Sequence, residues 1–115
     1  MNQQKKKTLK MKKKHLTLNE YQEKAIDTLL QINCSTTILF TGLVKEVGEF
    51  SELLMKDIKY KSEFFSKEYY KEELGDILWY ITVLTNIYNM TLQEVAEENL
   101  VKIERKFSNE QKPKD

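Results

Sequence analysis

One cysteine, one histidine, one proline and three glycines are the whole supply of those residue types in 115 residues. Each scarcity closes off a class of protein. Cys34 has no partner within the chain, so no intramolecular disulfide is available and a reducing, cytoplasmic setting is the simplest reading. Cys34 itself is expected to be a small apolar residue in or near the core. One His and one Cys cannot assemble the sulfur and imidazole ligands of a zinc site. So little Gly and Pro leaves few of the tight turns that join strands, which favours helices. No apolar run approaches the roughly 20 residues that span a bilayer, and no apolar segment follows the N-terminal lysines as in a secretory signal.

Acid is missing from one place only. Residues 1–14, MNQQKKKTLKMKKK, hold seven Lys and no Asp or Glu, while the rest of the chain carries 12 basic and 18 acidic residues, a net −6. The tail is either a solvated extension or a contact for nucleic acid or an acidic surface. The acidic remainder argues against a nucleic-acid-binding core.

What is present is helical patterning. The chain is 40% hydrophobic and 32% charged, which suits one soluble domain and is too apolar for disorder throughout. In LTLNEYQEKAIDTLLQI, Leu18, Tyr21, Ala25, Ile26, Leu29 and Ile32 recur at helical spacing, and Thr17 with Glu20 forms a capping box. NCSTT at 33–37 reads as a break. A second helix is expected from near Thr41 to about Tyr60, with Leu43, Val47, Phe50, Leu54 and Ile58 as its apolar stripe. A third is expected from Lys67 to Tyr88, with Leu74, Ile77, Leu78, Ile81 and Leu84 on one face. Thr91 with Glu94 is a second capping box and opens a fourth helix running to about Phe107. The organisation is then a Lys-rich tail at 1–15, a helical domain at 16–108 and a frayed end at 109–115. Four amphipathic helices on short links imply a four-helix bundle, and a partner subunit is one way for a chain this short to bury its stripes, the subunit count being open.

Two strings share one form: Glu46-Val47-Gly48-Glu49 and Glu73-Leu74-Gly75-Asp76. Residues three apart share a helix face, and both acid pairs fall beside the apolar stripe of their helix. Two like charges ~4 Å apart repel by about 4 kcal/mol at an effective dielectric of 20. A divalent cation turns that repulsion into attraction, and oxygen-only ligands favour Mg²⁺ or Mn²⁺ over zinc. Gly48 and Gly75 each cost about 1 kcal/mol in a helix interior, and their smallness suits close approach of a helix or a ligand. The bland alternative is two solvated acidic faces, since Glu-x-x-Glu is common on helices. Glu52 and Glu72 are read as acids that either support the ligands from outside or lie exposed.

With GLVKEVGEFSELL, EELGDILWYI and NLVKIERKF quoted together, the chain resembles the MazG-like nucleoside triphosphate pyrophosphohydrolases, an all-α family, over about residues 16–107. LTLNEYQ resembles the opening of that family's first helix. The resemblance implies a bundle that assembles as a dimer or a dimer of dimers. It implies Mg²⁺-dependent cleavage of a nucleoside triphosphate between the α and β phosphates, giving monophosphate and pyrophosphate. Carried over residue by residue, the metal ligands are Glu46, Glu49, Glu73 and Asp76, and Glu46 or Glu49 is the candidate general base. Lys102 and Arg105, three apart on helix four, form the basic motif that holds the polyphosphate, and Asn99, one turn earlier, is placed to bind phosphate or sugar. Trp79 is either a stacking surface for the base or a packing aromatic. The alternative class is a non-catalytic helical interaction protein whose basic tail recruits a partner.

Overall fold

Local chemistry at the helix ends sets the elements. The computed structural model describes residues 15–30, 32, 35–60 and 67–111. These form four helices: α1 (Leu18–Leu29), α2 (Thr36–Tyr60), α3 (Lys67–Ile87) and α4 (Leu92–Gln111). The Lys-rich stretch 1–14, Cys34, the connection at 61–66 and residues 112–115 lie outside the described residues. At α1, Thr17 Oγ1 accepts from the Glu20 N–H at 3.1 Å and Glu20 Oε1 accepts from the Thr17 N–H at 3.3 Å. At α4, Thr91 Oγ1 accepts from the Glu94 N–H at 3.0 Å and Glu94 Oε2 accepts in return at 3.4 Å. Both expected capping boxes are therefore formed.

Three boundaries differ from the sequence expectation, the first being that α1 ends at Leu29 and not at Ile32. Helix α2 starts five residues before Thr41, because Ser35 acts as its cap: Ser35 Oγ accepts from the Ile38 N–H at 3.2 Å. The polar run thus contributes a start signal where a break was expected. Helix α4 continues past Phe107 to Gln111. Between α3 and α4 the chain turns at Asn89, with φ 60°. The Asn89 N–H donates to Asn86 O at 3.0 Å and the Met90 N–H to Thr85 O at 3.1 Å, a Schellman closure with Asn in the usual glycine place.

The helices make an all-α four-helix bundle. Helices α2 and α3 form an antiparallel hairpin, α1 lies on α3, and α4 packs on α1 and α3 but not on α2. Gln22 on α1 ties the far end of α3 to the start of α4. Its Nε2 donates to Asn86 Oδ1 at 3.3 Å and to Met90 O at 3.1 Å, and its Oε1 accepts from the Leu92 N–H at 2.6 Å. Gln22 is buried at 7% exposure, so these bonds replace the water it has lost. Around it the buried apolar residues are Ala25, Leu39, Val83 and Leu92. Thr82 and Thr85 are buried too, their hydroxyls donating back to Leu78 O and Ile81 O at 2.6 and 2.8 Å.

The expected apolar stripes do not supply that core. On α2, Val47, Leu54 and Ile58 are exposed, Ile58 at 78%, together with Phe40, Val44 and Met55. On α3, Leu74, Leu78 and Ile81 are exposed. Helix α2 turns to α3 only the edge of its stripe that carries Phe50, together with Gly42 and Glu46 beside it. With α1 docked on the Trp79–Asn86 side of α3, no helix among the described residues covers these exposed positions. An exposed apolar patch of this kind is what interaction surfaces commonly present.

Candidate functional site

The antiparallel pairing of α2 and α3 brings acids from distant parts of the chain together. Glu46, Glu49 and Glu73 each offer a carboxylate oxygen, and the three oxygens lie within 4.8 Å of one another. Among the described residues this is the one such group close enough to share an ion. Asp76 stands outside the trio but near enough to act on it. The Glu46 carboxyl is pushed above the ordinary glutamate value by burial first, then by Glu49, Asp76 and Glu73, with Lys45 partly offsetting them. Lys45 reaches Glu49 at 3.8 Å across one turn of α2, an exposed pair of little energetic weight. The arrangement therefore holds more negative charge than nearby cations compensate. An all-oxygen donor set of that charge fits a hard divalent cation, Mg²⁺ or Mn²⁺.

Helix α1 approaches the same acids. Burial, and then the Asp76 carboxylate, push the Tyr21 phenol above its usual value, so Tyr21 lies within electrostatic range of the site's edge. Sequence reasoning assigned Tyr21 only to the apolar stripe of α1. Nothing in a single sequence links it to a residue 55 positions away.

The glycines change places with expectation. A Cβ on Gly48 or Gly75 would meet nothing within 4 Å, so neither admits a helix of this chain. Gly42, not singled out by the acid strings, is the close-approach glycine: a Cβ there would lie 2.6 Å from ring atoms of Tyr80. The available signal was its position one turn before Glu46 on the same face.

Asn99, Lys102 and Arg105 line one open groove of about 490 Å³ with Met90, Glu94, Val95 and Glu98. The structure thus gathers the three expected substrate-binding residues. It does not bring them to the carboxylates, for none of the four acids lines that groove and α4 does not touch α2. Trp79 is held in the seam between α1 and α3. Its Nε1–H donates to Thr28 Oγ1 at 2.9 Å and its ring meets Tyr80 edge-on at 5.0 Å. That commitment favours the packing role over the stacking one.

The raised proton affinity of Glu46 gives a pH dependence of defined sign. Metal-free, the folded state holds the Glu46 proton more tightly than the unfolded chain does, so this group stabilises the fold as pH falls from above its raised value toward the ordinary 4.5. A Mg²⁺ ion held by these acids would compete with that proton, so a rise in Tm on adding Mg²⁺ is expected to be largest above the raised value and to shrink on acidification. Melting curves of wild type and Glu46→Gln across that window, with and without Mg²⁺, isolate the effect. A Mg²⁺ increment that stays constant as pH falls would contradict it.

The class so defined is an all-α helical bundle with a carboxylate cluster between two antiparallel helices, a donor set suited to a divalent cation. Comparison with known proteins narrows the class. Residues 27–109 match the MazG nucleotide pyrophosphohydrolase domain, which covers well over half of the chain, and the protein belongs to that family. It is also similar to the Gene 37 protein of Mycobacterium phage L5, at 33% identity over 66 residues, 55% of this chain and 58% of that protein. The match thus spans a little over half the length of that relative. No solved structure matches. Among the described residues no helix is long and apolar enough to cross a membrane.

Proposed function

We propose that this protein is a Mg²⁺-dependent nucleoside triphosphate pyrophosphohydrolase, cleaving (d)NTP between the α and β phosphates to (d)NMP and pyrophosphate. The observation that carries the reading is the carboxylate trio Glu46, Glu49 and Glu73, within 4.8 Å of one another in a MazG-family chain. With Asp76 these residues would hold the cation, Mn²⁺ being an acceptable substitute. Once bound, the cation supplies charge neutralisation for phosphate oxygens and eases deprotonation of water. Glu46 or Glu49 takes the proton from the attacking water, and pyrophosphate departs in line. Lys102 and Arg105, which share a separate groove with Asn99 within one chain, would donate charge-assisted hydrogen bonds to the polyphosphate where a second copy of the chain brings that groove to the acids.

A second copy of the chain is the natural cover for the exposed stripes of α2 and α3, giving a dimer or a dimer of dimers. Sedimentation equilibrium is expected to return a multiple of the 13.7 kDa chain, and Leu78→Asp to lower it. A wild-type monomer at micromolar concentration contradicts the assembly. The function itself is tested by incubating the protein with each canonical and modified NTP and dNTP and Mg²⁺, then identifying products. Monophosphate and pyrophosphate in equal amounts are expected. No turnover of any nucleotide, with no effect of Mg²⁺ on Tm, would favour a non-catalytic interaction protein instead.

A further inference from the structure

We infer that Gly42 and Tyr80 are a positioning pair, whose contact sets the separation of α2 and α3 and hence the spacing of the carboxylates one turn away. The inference rests on the metal-site reading above and adds residues to it.

The placement is regular. Gly42, Glu46 and Glu49 stand at i, i+4 and i+7 on α2, one stripe of the helix. Tyr80, Asp76 and Glu73 stand at i, i−4 and i−7 on α3, running the other way. Gly42 faces Tyr80, and the acids follow in register from there. Two turns of α2 further on, Phe50 meets Tyr70 edge-on with ring centroids 5.9 Å apart. Aromatic contacts therefore bracket the acids on both sides.

At Gly42 the bracket has no slack. A Cβ would lie 2.6 Å from Tyr80 Cε1 and Cζ and 2.7 Å from Oη, where ordinary contact begins at 3.4 Å. The ring is not free to yield without cost. It abuts Trp79, whose own N–H is bonded to Thr28 on α1. A methyl group at position 42 must either part the helices by about 0.8 Å or expel the ring. Either outcome disturbs the acids. Mg²⁺ demands near-ideal octahedral geometry with oxygens at roughly 2.0–2.1 Å, whereas Ca²⁺ accepts about 2.3–2.6 Å and irregular geometry. A change in helix spacing should then fall much harder on Mg²⁺ than on Ca²⁺, which a general loss of stability would not do.

The test is calorimetric titration of wild type, Gly42→Ala, Tyr80→Leu and the double variant with Mg²⁺ and, separately, Ca²⁺, with circular dichroism to verify helix content. Gly42→Ala is expected to keep its helices and lose roughly tenfold or more in Mg²⁺ affinity, with a smaller change for Ca²⁺. Tyr80→Leu, which removes the ring without adding bulk, is expected to show the same selectivity change more weakly. The double variant, in which the lost ring makes room for the methyl, should recover most of the Mg²⁺ affinity. Wild-type Mg²⁺ affinity in Gly42→Ala, or equal losses for both ions without recovery in the double variant, would overturn the pair. If wild type binds neither ion, the metal reading is what has failed. The pair is then judged by a crystal structure of metal-free Gly42→Ala, in which unchanged helix spacing with Tyr80 in place would overturn it.

Discussion

Glu73→Gln is expected to leave the bundle folded and to lower kcat/KM by on the order of a hundredfold or more, the scale of removing a group that stabilises transition-state charge. The substitution keeps the shape of the side chain, removes its negative charge and replaces one carboxylate oxygen by an NH₂ group that cannot ligate a cation. Glu73 is half-buried at the hairpin seam, where its oxygen lies within 4.8 Å of those of Glu46 and Glu49. Removing one of three close like charges relieves repulsion in the metal-free protein, so this variant should melt no lower than wild type without Mg²⁺. It should also lose most of the Mg²⁺-dependent rise in Tm. The combination separates a ligand from a structural residue, because a structural residue would lose stability along with turnover. The measurements are steady-state kinetics on the nucleotide found to be turned over, and melting at increasing Mg²⁺. Undiminished turnover in Glu73→Gln would remove the acid cluster from the chemistry.

The largest stability effect is expected at Gln22. Gln22→Ala removes three hydrogen bonds at once and leaves Met90 O and the Leu92 N–H without their partner. Leu92 is buried and opens α4, so its N–H has no acceptor within the helix. Stranding such groups costs about 2–4 kcal/mol, or roughly 10–20 °C in Tm for a chain of this size. Glu23→Ala, one residue away and exposed, serves as the control and should change stability by less than about 0.5 kcal/mol. Gln22→Glu should fall between, since a carboxylate still accepts from Leu92 but cannot donate to Asn86 or Met90. A Gln22→Ala protein that melts with wild type would show that the tie contributes nothing net.

Features decided by neighbours in sequence were legible from sequence. Thr17 with Glu20 and Thr91 with Glu94 are contacts across three residues, and both formed. The acid pairs were visible for the same reason, since i, i+3 spacing fixes a shared face. The start of α2 was missed because Ser35 has two readings, turn residue and cap, and composition alone favoured the first. The packed face of α2 was anticipated only at its edge, where Phe50 meets Tyr70, because apolarity shows what would gain from burial and not what covers it. Leu54 and Ile58 gain as much against a second chain as against α3. Gln22 did carry a signal: it falls on the stripe of Leu18, Ala25 and Leu29, where a polar residue is out of place. Its partners, 64 to 70 residues downstream, could not be read from that position. Gly42 was hidden in the same way, since its meaning depends on Tyr80.

Those separations also order the steps by which the chain assembles. Phe50 and Tyr70 are 20 residues apart, and the hairpin they help to close forms from adjacent helices. The bond from Gln22 to Met90 must instead close 68 residues, an extra entropic cost of about 1 kcal/mol on a flexible chain. The hairpin should therefore nucleate first and the N-terminal helix arrive last. Native-state amide exchange would record this as faster opening in α1 than in the middle of α3, so that the first helix detaches while the acids between α2 and α3 remain together.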